Sequence, residues 1–173
     1  MKPTYIKGIL IVNKQISLPK EYNPGLNKAT LCAYYIMKMN ALVKGIKLKI
    51  ISGFRSYEYQ EKIYNQYVKE YGEEKTNTFS ARPGHSEHQT GLALDICEDS
   101  DKFINTKEEI WLRKNAHKYG FIIRYPKGKE EINPYLYAFK ATARQGFLEA
   151  CTFSYACDCS EERVVCSSMY EHV

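Results

Sequence analysis

His88 and Asp95 stand seven positions apart in Ser86-Glu87-His88-Gln89-Thr90-Gly91-Leu92-Ala93-Leu94-Asp95, a histidine and a carboxylate separated by a turn and a strand. Leu92, Leu94 and Ile96 alternate with Ala93, Asp95 and Cys97. A strand here therefore buries one face in Leu and Ile and presents Asp95 on the other, beside a small alanine. Gly91 lets the chain turn, so that His88 can fold back toward Asp95. One neutral imidazole and one carboxylate suit Zn²⁺, and a catalytic zinc typically takes three protein ligands and keeps a fourth position for water. The pattern is half of a metal site. Taken alone, a histidine near an aspartate is more commonly a hydrogen-bonded loop pair.

Arg55 offers a second kind of chemistry. Lys47 to Ser52, with Leu48 and Ile50 alternating against lysines, predicts a strand that delivers Gly53 and Arg55 to its end, and Ser56 is a natural helix N-cap. A guanidinium at such a junction projects from a rigid base. Its planar, charged fork suits a terminal carboxylate or a developing oxyanion; the plainer reading is a structural ion pair.

The elements that must position these groups follow from periodicity. Gly8 to Val12 reads as a short strand, and Asn13 to Pro19 as an extended arm. Leu31, Tyr34, Tyr35, Met39 and Leu42 fall at helical spacing between a cap at Asn27 and a stop at Gly45, and their stripe reads as core. After Ser56, a second helix presents Ile63, Tyr64, Tyr67, Val68 and Tyr71 as its buried stripe and stops near Gly72. The polar stretch 73–87, with Pro83-Gly84, predicts a loop. Thr106-Lys107-Glu108-Glu109 is a capping box for a third helix, with Leu112, Ala116 and Tyr119 on one face and Gly120 at its end. Phe121 to Tyr125 is then a strand. Strands, intervening helices and long loops in this order indicate an α+β fold.

With 173 residues and 44% hydrophobic content, the chain is large enough for a single core and too short for two ordinary domains. A formal charge of +5 and a pI near 8.8 are a modest excess, which suits either anionic surroundings such as cell-wall polymer or simply a solvated basic surface. The absence of a dense Lys/Arg run argues against nucleic acid as a partner. The N-terminus lacks a basic region followed by an apolar run, and no stretch of about 18 apolar residues could span a membrane. Four of the six cysteines (Cys151, Cys157, Cys159 and Cys166) crowd into the last segment, leaving Cys32 and Cys97 in the body.

Three segments occur in order: Ile50-Ile51-Ser52-Gly53-Phe54-Arg55-Ser56-Tyr57-Glu58-Tyr59-Gln60, then Arg82-Pro83-Gly84-His85-Ser86-Glu87-His88-Gln89-Thr90-Gly91, then Trp111-Leu112 with Gly120-Phe121-Ile122-Ile123-Arg124-Tyr125-Pro126. Together they resemble the VanY-like D-alanyl-D-alanine carboxypeptidases, zinc peptidases that trim peptidoglycan stem peptides. The resemblance runs from about Ile9 to Tyr137. It implies a small, mainly antiparallel sheet flanked by helices, of the hedgehog/D,D-peptidase kind, acting as a monomer on the cell-wall side of the membrane. It also implies Zn²⁺ held by His88 and Asp95, Arg55 in the active site, and Gln60 and Ser86 with Arg55 around the substrate's C-terminal D-residue. His85 and His117 read as supporting or surface residues. The implied reaction is removal of a terminal D-alanine by D,D- or L,D-carboxypeptidase chemistry. In it, zinc activates a water, a glutamate takes and returns a proton, and Arg55 steadies the oxyanion.

That scheme needs a third ligand and a base, which in the family arrive on a late strand written Glu-Pro-Trp-His after Tyr-x-Tyr. Here Tyr135-Leu136-Tyr137 is followed by Ala138-Phe139-Lys140-Ala141, and nothing beyond resembles the family. The chain divides into a VanY-like domain over 1–137, C-terminally incomplete, and an atypical Cys-rich tail over 138–173. The tail is a replaced or frame-shifted C-terminus, or a divergent segment whose Cys157, Cys159 or His172 reaches the metal, or the mark of a fold that recognises ligand without turnover. Glu149, Glu161, Glu162 and Glu171 can serve as bases only if the tail folds over the cleft. The rival functions are a non-catalytic module binding peptidoglycan peptides and an endopeptidase cutting inside the stem.

Overall fold

The computed structural model describes residues 2–6, 8–97, 103 and 105–123, and the backbone of 139–143. The chain opens on a hairpin, β1 (Thr4–Ile6) paired antiparallel with β2 (Ile9–Ile11), of which periodicity revealed only the second strand. An arm follows, and then α1 (Lys28–Val43), where Asn27 accepts from the backbone N of Thr30 as expected of a cap. The buried face of α1 is not the expected one. Thr30, Ala33, Tyr34, Met37 and Ala41 are buried, whereas Met39 and Leu42 are exposed. Only Tyr34 belongs to both sets, because the helix packs closely through small residues, Thr30, Ala33 and Ala41, and not through its bulkiest stripe. Burial pushes the Tyr34 hydroxyl up to about 12, and that hydroxyl donates to Leu48 O at 3.1 Å.

β3 (Ile50–Ser52) leads into α2 (Tyr57–Tyr71), capped by Ser56 Oγ accepting from Tyr59 N. On α2 only Gln60 and Tyr64 are buried; of the expected stripe Tyr64 alone is buried, Ile63, Tyr67 and Val68 are half-buried and Tyr71 is exposed. The reason lies in the polar stretch after Gly72. It is not all loop but begins with α3 (Glu73–Phe79), whose Phe79 packs edge-on against Tyr67 and Tyr71 near the surface. A 3₁₀ turn (Glu87–Thr90) precedes β4 (Ala93–Ile96). The capping box at Thr106 opens α4 (Lys107–Asn115), which tightens into a 3₁₀ turn (Ala116–Tyr119) before Gly120 and β5 (Phe121–Ile123).

The last strand among the described residues, β6 (Phe139–Ala143), inserts between β4 and β5. The sheet order is β3-β4-β6-β5, antiparallel throughout, with α1 and α4 supplying apolar cover; this is the α+β architecture expected. Met37, Leu94, Ile96, Leu112 and Phe121 are the largest fully buried apolar side chains among the described residues. The strand alternation read from Leu92 to Cys97 holds in phase, but β4 is interior and both of its faces are covered, Asp95 included. Residues 139–143, the start of the segment expected to be foreign, are thus part of the sheet; residues 144–173, with all four tail cysteines, His172 and the four tail glutamates, lie outside the described residues.

Candidate active site

Three separate stretches of chain bring their side chains to one point, Oδ2 of Asp95. Arg55 Nη2 donates to it at 2.9 Å, and His88 Nε2 lies 3.1 Å from it. Arg55 Nη2 also approaches His88 Nε2 at 3.2 Å, closing a triangle. Asp95 reaches the site from the interior of β4, paired across an irregularity in the ladder with Ser52 of β3. Arg55 reaches it from the β3–α2 junction. Its fork is fixed by Nε donating to Ser52 Oγ at 2.9 Å and by a longer Nη1 contact of 3.4 Å to Gln60 Oε1.

His88 is completely buried, and its ring has one defined setting. Nδ1 lies 2.6 Å from Gly53 O, an oxygen that can only accept, so Nδ1 carries a proton and Nε2 is the nitrogen that faces Asp95. A backbone carbonyl holding the far nitrogen of a ligating histidine is the usual support of a metal ligand. In tetrahedral coordination with bonds of about 2.0–2.2 Å, two ligand atoms lie roughly 3.4 Å apart. The observed 3.1 Å therefore suits two corners of such a site. Among the described residues no third His, Cys, Asp or Glu joins them.

The remaining expected residues are present but differently engaged. Gln60 is buried, and its amide N donates to Ala81 O at 2.7 Å, so in this arrangement it braces Arg55 and the loop behind it. Ser86 is buried as the cap of the 3₁₀ turn, its Oγ accepting from His88 N at 3.3 Å. A serine accepting one bond still has its own proton to give. His85 stands apart from the triangle, with Nδ1 2.8 Å from Asn13 O. Sequence reading passed over Ser52 and Gly53. Their only signal was their place immediately before Arg55, where a strand end must supply the polar groups that hold it.

A helix-flanked antiparallel sheet with an Arg–His–Asp triangle at its strand ends defines a class of fold, and comparison with known proteins assigns it to a family. The family model for VanY, D-alanyl-D-alanine carboxypeptidase, matches residues 23–138, and the chain belongs to that family. The match ends where the Ala138-Phe139-Lys140-Ala141 departure begins. The D-alanyl-D-alanine carboxypeptidase of Enterococcus faecalis is 31% identical over 143 residues, 72% of this chain and 53% of that protein. Among solved structures, the LdcB LD-carboxypeptidase superposes with a TM-score of 0.71 at 34% identity, covering 82% of this chain and 83% of the other. A VanY D,D-pentapeptidase mutant in complex with Zn(II) superposes with a TM-score of 0.64 at 28% identity, covering 83% and 90%. The chain spans about half the length of the curated relatives it matches. No helix among the described residues is long and apolar enough to cross a membrane.

Proposed function

We propose that this chain recognises D-alanine-terminated peptidoglycan stem peptides on the cell-wall side of the membrane, as a monomer. Its site is built for zinc carboxypeptidase chemistry, of which it retains two metal ligands, His88 and Asp95. The observation that carries the reading is the convergence of Arg55, His88 and Asp95 on one oxygen, with the His88 ring set by Gly53 O. Zinc, when bound, would supply Lewis-acid polarisation at the scissile carbonyl. Arg55, anchored through Nε on Ser52, would release its Nη groups from Asp95 and the long Gln60 contact to meet a terminal carboxylate or the oxyanion that develops on the carbonyl. Ser86 offers its hydroxyl proton to the same terminus. D,D- and L,D-specificity differ only in the residue that precedes the terminal D-alanine, and both need this same clamp.

Recognition without turnover is the favoured form of this function. The segment 138–141 supplies neither a carboxylate to carry the proton nor an imidazole to complete the metal site. The deciding experiment measures bound zinc after dialysis, stem-pentapeptide affinity by calorimetry, and D-alanine release, all on the full chain. Peptide binding with weak zinc and negligible release fits the proposal. An absence of peptide binding with and without zinc overturns it.

A further inference from the structure

The loop carrying Ser86 and His88 is held from two sides. Toward the sheet, His88 Nδ1 donates to Gly53 O and Arg55 N donates to His88 O. Toward the N-terminus, the arm 13–27 clasps it. Leu18 N donates to Gly84 O at 2.7 Å, Asn27 N donates to Gly91 O at 3.0 Å, and His85 Nδ1 meets Asn13 O. A Cβ at Gly91 would stand 2.2 Å from Gly25 O, so arm and loop are packed too closely to slide.

At the centre of this clasp is Gln89, which the mechanism above does not use. It is completely buried, and its amide N donates to two arm carbonyls, Pro19 O at 2.9 Å and Tyr22 O at 3.1 Å. Those carbonyls belong to one turn, closed by Tyr22 N donating to Pro19 O. Both only accept, so the amide has a single workable orientation, and its Oε1 makes no hydrogen bond among the described residues. Simple packing would not require this arrangement, since a methionine fills the same space without a donor. Successive side chains of a 3₁₀ turn point about 120° apart. Gln89 therefore faces the arm while its neighbour His88 faces the cleft.

We propose that Gln89 is a positioning residue for His88. Its amide ties the Pro19–Tyr22 turn to the 3₁₀ turn and so holds the imidazole with Nε2 toward Asp95. The consequence for zinc rests on the function proposed above; the consequence for the ring does not.

The test is Gln89→Met in the full chain, read by long-range ¹H–¹⁵N correlation of the imidazoles, with His88 assigned by its loss in His88→Ala. The unmodified chain should show His88 as a single form with a sharp, hydrogen-bonded Nδ1 proton. The variant should show a mixture of tautomers or a shifted, broadened Nδ1 proton while its thermal melt stays cooperative. Zinc affinity by chelator competition should fall roughly 10–100-fold. If Gln89→Met cannot be purified folded, Gln89→Asn, which withdraws the same donor by one methylene, should give the same ring signature. A folded variant with the His88 spectrum of the unmodified chain overturns the proposal. If the unmodified chain binds no zinc but its ring signal still changes in the variant, positioning stands and the zinc reading of the site falls.

Discussion

Arg55 does at least two jobs that a single substitution can separate. Its ion pair with Asp95 is largely shielded, with side-chain exposures of 21% and 7%. Arg55→Ala should therefore destabilise the fold by about 1–3 kcal/mol, the range for leaving a buried partner short of a hydrogen bond. It should also weaken binding of a D-Ala-terminated peptide roughly 10–100-fold, the equivalent of a charge-assisted bond. Arg55→Lys should restore much of the stability and little of the binding, because an ammonium cannot present the planar fork. Unchanged peptide affinity in Arg55→Ala, by calorimetry, would remove the carboxylate-clamp role. The meeting of His88 with Asp95 was legible in sequence, since a turn glycine and strand alternation dictate it. The engagement of Gln60 was not, because whether an amide faces a ligand or a neighbouring carbonyl depends on contacts between segments about 20 or more residues apart.

At the scale of elements, caps and stops were read correctly from single residues: Asn27, Ser56, Thr106 and Gly120 each sit where the chain requires them. Helix faces are less legible, as α1 shows, because Ala41 and Met37 turn into the core while Met39 and Leu42, on the other side of the same turns, stay exposed. Two element-level tests follow. Tyr34 holds its proton more tightly in the fold than in the unfolded chain, so its contribution is complete below about pH 10 and is lost as pH rises toward 12. Denaturant unfolding between pH 9 and 12 should show a loss of about 2–3 kcal/mol that flattens in Tyr34→Phe; identical slopes would contradict the buried tyrosine. Gly91, at φ +73° and in contact with Gly25 O, should tolerate no side chain. Gly91→Ala should cost about 2–5 kcal/mol from left-handed strain and overpacking together, seen as a lowered denaturant midpoint.

For the whole molecule, the question is whether β6 can carry what the family's late strand carries. With two protein donors zinc should bind weakly, and without a positioned glutamate hydrolysis should fall by ~10²- to 10⁴-fold. Replacing residues 138–141 by Glu-Pro-Trp-His, which puts the imidazole at 141, should recover some D-alanine release at matched zinc if the strand takes the register that brings position 141 to the face of Asp95. The ladder adds a sharper comparison, since Lys140 is the register partner of Asp95 and Ala141 that of Leu94. Lys140→His alone should raise zinc affinity more than Ala141→His alone, because positions opposite one another share a face of the sheet. The reverse order would mean that the strand is shifted by one residue when it carries the metal. Robust release by the unmodified chain, abolished by changing Cys157, Cys159 or His172, would show that the tail supplies the site. The family was legible as far as Tyr137, but a strand order in which the last strand enters the middle of the sheet is not a local property, and no periodicity could reveal it.

That order has a consequence for biosynthesis. A ribosome delivers β3, β4 and β5 before β6, yet β4 and β5 share no ladder and meet only through the strand that comes last. Until residue 143 has emerged, a nascent chain exposes one unsatisfied edge of β4, the strand that bears Asp95, and strand edges of that kind are where misassociation begins. Closure of the sheet is thus a late event in synthesis, and chaperone engagement should concentrate in the interval between completion of β4 and arrival of β6.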